Sequence, residues 1–304
     1  MRVQGELHGS VSLVIIGGGH MVRIRAPERS ITHTARATVY PDGRVRLLVS
    51  DVPIFREPGW EAVGEPLQRR KRGADEAPDP VNLARSARRA RQRLYDLAWA
   101  NPELRWFLTL TLDAGVVGNR YDVGVQSNRL RRWLDNQVRR RGLAYIIVPE
   151  YHRDGAIHWH GLCNDALDYR ESPTIIRPEG GRPYRPGTDE ERARLLEAGG
   201  HVVYNVEQWR YGWSTAIQLY GRRESALGYV SKYICKAQEG GHGHIGGRWY
   251  WHGGQLVEPQ SYTYDIPWDD TPDDAYVHTI PQLGARCKII ELYPDVDSGI
   301  HKEG

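Results

Sequence analysis

Glu150-Tyr151-His152-Arg153-Asp154-Gly155-Ala156-Ile157-His158-Trp159-His160 is the stretch on which the reading of this chain turns. Ala144-Tyr145-Ile146-Ile147-Val148 and Ala156-Ile157-His158-Trp159-His160-Gly161-Leu162 are strand-like runs. Arg153-Asp154-Gly155 separates them, with glycine where a three-residue hairpin loop needs a left-handed residue. Such a loop pairs His152 with Ala156, and counting outward sets Glu150 opposite His158 and Val148 opposite His160. Period-two alternation then puts Glu150, His158 and His160 on one face. Directly opposed side chains lie about 5 Å apart at Cβ, near enough for one carboxylate and two imidazoles to share a divalent cation. A slip of one residue would turn Glu150 to the other face. A mixed oxygen and nitrogen shell with open positions suits Mg²⁺ or Mn²⁺ beside a phosphate, and Zn²⁺ is compatible with the same ligand types. A His-x-His pair on a strand is also ordinary decoration of a solvated sheet face; Glu150 in register is what favours the metal.

A second informative stretch is Tyr229-Val230-Ser231-Lys232-Tyr233-Ile234-Cys235-Lys236. It reads as part of a helix from about residue 224 to 237, with Leu227, Val230, Ile234 and Ala237 as a buried stripe. Tyr229, Lys232, Tyr233 and Lys236 fall on another face, and the two phenols stand one turn apart, about 6 Å along the axis. A phenol titrates near 10, so its use as a nucleophile at neutral pH needs cations or a proton acceptor close by. Lys232 and Lys236, each three residues after a tyrosine, are candidates for that help.

With these two stretches in hand, the chain resembles the HUH endonucleases, named for two histidines flanking a hydrophobic residue, here His158, Trp159 and His160. The strand Phe107-Leu108-Thr109-Leu110-Thr111-Leu112, the metal hairpin and the tyrosine helix occur in the family's order. The likeness is greatest to rolling-circle replication initiators of plasmids and single-stranded DNA phages, the doubled Tyr-x-x-Lys resembling the two-tyrosine type. It covers about residues 85 to 237. The resemblance implies an α+β fold, an antiparallel sheet with flanking helices in an HUH/RRM-like palm. It also implies Glu150, His158 and His160 as metal ligands and Tyr229 and Tyr233 as nucleophiles that join the 5′ end of a nicked strand and release a 3′ hydroxyl. A transposase or relaxase with the same chemistry, a non-catalytic DNA-binding module, and a metal-dependent hydrolase without covalent catalysis are the alternatives.

Composition agrees with a nucleic-acid partner. The net charge of the 304 residues is only +3, but arginines cluster. Arg69, Arg70, Lys71 and Arg72 form one group, Arg85, Arg88, Arg89, Arg91 and Arg93 a second on a helix running to Trp99. Arg129, Arg131, Arg132, Arg139, Arg140 and Arg141 decorate a third helix whose apolar side is Leu130, Trp133, Leu134 and Val138. Arg129 and Arg132, with Thr109 and Thr111 on the first strand, are the candidate DNA contacts. Ten tryptophans and seventeen tyrosines against two phenylalanines supply rings on which unpaired bases could stack. Cys163, Cys235 and Cys287 are far apart, which argues for a reduced chain with no disulfide framework or zinc ribbon. The longest early apolar run, Val11 to Ile16, is too short to span a membrane, so a cytoplasmic location is expected.

The expected organisation is a small β-rich N-terminal region (1–65), a charged, proline-containing linker (66–80), a catalytic domain (81–239) and a C-terminal extension (240–304). In the first region Pro41-Asp42-Gly43 should turn between Val39-Tyr40 and Arg44-Val45-Arg46-Leu47-Leu48-Val49. Ile16-Gly17-Gly18-Gly19 lacks the spacing of a dinucleotide fingerprint, and without a Walker loop strand separation would require a host helicase, with a host polymerase extending the 3′ end. Residues 169 to 200 should form a long excursion before strands at 202–209 and 215–220. His242 and His244 repeat a His-x-His pair, but in a glycine-rich loop with no acid in register. The segment from Asp265 to Asp274 is expected on the surface.

Overall fold

The structure, a computed structural model, describes residues 16–17, 20–21, 32–56, 79–220, 228, 230, 244–280 and 284–294. In chain order its strands and helices are β1 (Ile16–Gly17), β2 (His20–Met21), β3 (Thr32–His33), β4 (Ala35–Val39), β5 (Val45–Ser50), β6 (Phe55–Arg56), α1 (Pro80–Ala100), β7 (Trp106–Leu110), α2 (Ala114–Val117), α3 (Val123–Arg141), β8 (Tyr145–Tyr151), β9 (Ile157–Cys163), β10 (Tyr169–Ile176), α4 (Asp189–Glu197), β11 (His201–Val206), β12 (Ser214–Gln218), β13 (Trp251–Gly253), β14 (Gln260–Tyr264), β15 (Tyr276–Ile280) and β16 (Ala285–Leu292). The fold is α+β and its large sheets are antiparallel. The chain divides into two compact units, Met1–Gly73 with Pro259–Gly304, and Ala74–Glu258.

The first unit is built on a five-stranded sheet in the order β14-β4-β5-β16-β15. Its centre is the hairpin expected at Pro41-Asp42-Gly43: Val39 pairs with Val45 and Gly43 takes φ +83°. Alternate residues Ala35, Ala37, Val45, Leu47 and Val49 are buried with Ile266 in one cluster. Asp265 was expected on the surface, yet its carboxylate lies 3.2 Å from His33 Nδ1 and accepts from the Thr34 amide at 3.0 Å. The acidic segment is therefore fastened to the N-terminal strands, with Thr34 Oγ1 donating to the Ile266 carbonyl.

The second unit carries a seven-stranded sheet in the order β10-β11-β12-β7-β9-β8-β13. Helix α3 starts where Asp122 accepts from the Val125 amide and stops at Gly142, left-handed at φ +71°, with Arg139, Arg140 and Arg141 at the negative end of its dipole. Helix α1 begins with Pro80 just after the capping Asp79. Trp133 of α3 meets Trp209 edge to face at 5.2 Å, and Trp209 meets Trp159 of β9 at 6.1 Å. Helix α3 thus lies over the sheet face to which Trp159 points, and burial of Leu130, Trp133 and Leu134 holds it there.

One expectation changes. Residues 169 to 200 are not all excursion: they open with β10, the sheet's edge strand, paired to β11 from Tyr169↔Val206 to Ile176↔His201. Pro173 sits where the register shifts between Glu171 and Ile175, the place where an edge strand tolerates a residue with no N–H to donate. The strand's polar composition and its proline disguised it.

Candidate metal centre

The hairpin β8–β9 has the register counted from the sequence. Glu150 pairs with His158 and Val148 with His160; the His152 amide donates to the Ala156 carbonyl at 2.7 Å, and Gly155 takes φ +87°. Gly161 is the other glycine this geometry demands. A Cβ there would lie 2.3 Å from the Ile146 carbonyl oxygen, so a side chain would push β9 off β8.

Glu150 Oε2 lies 3.0 Å from His158 Nε2 and 2.9 Å from His160 Nε2, and the two ring nitrogens are 3.3 Å apart. Neighbouring ligands of an octahedral ion with bonds of about 2.1 Å are separated by about 3 Å, so these three atoms fit one divalent cation. Among the described residues this trio is the group of acidic, histidine and cysteine side chains that could hold a metal ion. The side chains keep 17, 13 and 10 % of their surfaces for Glu150, His158 and His160. They are withdrawn enough from water to be held in place, yet open on one side to further ligands.

Thr109 of β7 pairs with His160, and its hydroxyl lies 3.0 Å from His160 Nδ1. When Nδ1–H donates to that hydroxyl, Nε2 turns its lone pair to the cluster. The Phe107 ring is nearly parallel to the same imidazole at 5.9 Å. Thr111 continues the strand, its amide donating to the Trp213 carbonyl at 2.8 Å.

An open cleft of about 450 Å³ beside the trio is lined by Glu150, Tyr151, His152, Arg153, His158 and Arg182. His152 meets the His158 ring edge on at 5.6 Å and lies 3.2 Å from Asp154, which Arg120 also engages. The hairpin loop is thereby tied to the segment leading into α3. His152, Arg153, Arg182 and Arg120 were not singled out by the sequence reading. Their position in the hairpin loop was a signal for the first two; Arg120 and Arg182 arrive from distant segments.

Arg129 is half-buried, donating to Gln126 Oε1 at 2.6 Å with its guanidinium 5.4 Å from the Tyr211 ring centre, whereas Arg132 is exposed on α3. Tyr229, Lys232, Tyr233 and Lys236 lie outside the described residues, as does His242. Of the expected tyrosine helix, Gly228 and Val230 are described; both are helical and Val230, on the expected inner stripe, is fully buried. His244 packs its ring 4.5 Å from Trp249, and burial holds its pKa below the usual imidazole value. Among the described residues no helix is long and apolar enough to cross a membrane.

Residues 105–238, less than half of the chain, match the sequence model of a family of replication-associated proteins, the ORF2 type. The matched segment contains β7, the metal hairpin and the tyrosine motif, and it supports a rolling-circle replication initiator family and a role in DNA replication. No curated protein and no solved structure matches the chain.

Proposed function

We propose that this chain nicks and rejoins single-stranded DNA at a specific site through a 5′-phosphotyrosine intermediate, and so initiates rolling-circle replication of a plasmid or single-stranded DNA phage. The observation that carries the reading is the convergence of Glu150, His158 and His160 to within 3.3 Å of one another, inside the segment matched by a replication-associated family. Residues 81–239 would be the catalytic domain, preceded by a linker at 66–80.

Glu150, His158 and His160 would hold Mg²⁺ or Mn²⁺, which when bound supplies Lewis-acid neutralisation of charge on the scissile phosphate. The protein's own groups do the rest. Thr109 keeps His160 turned toward the cluster, and Arg153 and Arg182 line the adjoining cleft, where phosphate oxygens would be attracted. The hydroxyl of Tyr229 or Tyr233 loses its proton and attacks phosphorus. The P–O bond to the 3′ oxygen breaks, that oxygen takes up a proton, and the 5′ phosphate stays on tyrosine. A second transfer, by the other tyrosine or the free 3′ hydroxyl, reverses the bond exchange and closes a circle. Lys232 and Lys236 would neutralise the phenolate. A host helicase and polymerase would open the duplex and extend the primer.

The test is an incubation of labelled origin-strand DNA with the full chain, with and without Mn²⁺, resolved on a denaturing gel. A protein-linked strand that needs Mn²⁺ is expected. Tyr229→Phe or Tyr233→Phe alone should leave partial cleavage or rejoining, and the double substitution should abolish the adduct. An adduct surviving in the double variant would refute the assignment of the nucleophiles, and free ends without an adduct would make the chain a simple hydrolase.

A further inference from the structure

Trp213 leaves 63 % of its surface to solvent, unusual for a ring whose burial is so favourable. Its place in the sheet is defined. The Thr111 amide bonds to the Trp213 carbonyl, continuing the ladder in which Ser214 pairs with Leu110 and Thr215 with Thr109. Ser214 and Leu110 are buried on the side of Trp159, so by alternation Trp213 belongs with Thr111 and Thr109 on the metal-bearing face. It lies two strands from His158, about 10 Å at the usual strand spacing. Gly212 makes the approach possible: a Cβ there would stand 2.4 Å from the Thr111 carbonyl oxygen.

The surroundings of the ring are cationic and polar. A hollow of about 380 Å³ is lined by Arg170, Asn205, Glu207, Arg210 and Trp213 among others. Arg170 pairs with Asn205, and the Tyr204↔Ala216 pairing sets Asn205 beside Thr215, in the row that runs on through Thr109 to His160. Two guanidinium groups against one carboxylate, an amide and an uncovered indole together match a nucleotide: charge for the phosphate and a flat apolar surface for the base.

We propose that Trp213 is the stacking platform for an unpaired base of a single DNA strand lying across the metal-bearing face, with Arg170 and Arg210 at the neighbouring phosphates. This rests on the nicking function proposed above and adds where the strand runs: from the trio on β8 and β9 across β7 to the start of β12. Trp213 is a positioning residue, fixing which phosphate reaches the metal.

The test uses the full chain without divalent metal and two fluorescein-labelled 30-mers, oligo(dT) and a strand of the same length in which tetrahydrofuran replaces every base. Fluorescence anisotropy of the wild type should show tighter binding of oligo(dT). Trp213→Ala should weaken oligo(dT) by roughly five- to a hundredfold, the range of one lost stack, and barely change the baseless strand. Trp213→Phe should restore most of the preference. Arg170→Ala and Arg210→Ala should weaken both strands alike, each lowering the salt slope by about 0.7. Equal oligo(dT) binding by wild type and Trp213→Ala would overturn the inference. So would a change confined to self-association in light scattering, which would make the ring part of a protein interface. Adduct formation by the wild type reads the underlying function separately. An adduct with no effect of Trp213 sinks this inference alone, and failure to bind or link any strand sinks both.

Discussion

The two faces of the seven-stranded sheet are made by the same strands and have opposite characters. On one, β9 presents His158 and His160 to Glu150, Thr109 and an open basic cleft. On the other, the intervening Trp159 is 1 % exposed and locked through Trp209 to Trp133 of α3. Chemistry and rigidity are thus interleaved residue by residue. The dry face fixes the backbone to which the ligands are attached, and an imidazole pair 3.3 Å apart needs no loop to hold it.

That contrast can be broken most severely from the dry side. Trp159→Ala should cost about 3–5 kcal/mol of stability, the usual loss for emptying an aromatic core position. Thermal unfolding followed by circular dichroism measures it; a melting point unchanged from wild type would mean the tryptophan cluster does not brace the hairpin. From the wet side the expected loss is smaller and functional. Thr109→Ala should leave stability near wild type and weaken Mn²⁺ binding about 10- to 100-fold by releasing His160 Nδ1, while Thr109→Ser should restore it. Equal Mn²⁺ affinity in all three proteins would show that the hydroxyl has no orienting role.

The smallest effect concerns Cys163, which follows Trp159 and Gly161 on the dry side. Burial pushes its thiol up to about 12, and the sulfur lies 3.3 Å from the Tyr169 hydroxyl. Because the raised value keeps the thiol neutral well above physiological pH, its alkylation should not climb between pH 7 and 9 as that of a free thiol does. Site-resolved mass spectrometry after iodoacetamide treatment checks this, with labelling expected only after unfolding.

How much of this was legible in the sequence follows sequence separation. The metal hairpin closes over three loop residues, so Gly155 and the alternation of Ile157, His158, Trp159 and His160 were enough to give its register. The first unit's sheet was not legible as one object. Its strand β16 pairs Cys287 with Ser50, and β14 pairs Tyr262 with Ala37. Pairings across more than 200 residues leave no local pattern to count. The role of Thr109 falls between: its face was foreseen, but its bond to His160 required knowing that β9 lies beside β7. Trp209 was lost in a stretch read as the end of a strand, though it caps the cluster that braces the site.

The account stands on the trio as a cation site, and Mn²⁺ titration of the full chain, read by calorimetry, tests this directly. It predicts one Mn²⁺ per chain in the wild type and loss of that site in His158→Ala, His160→Ala and Glu150→Ala, with the folded circular dichroism spectrum retained. A single Mn²⁺ bound with equal affinity by all four proteins would contradict it.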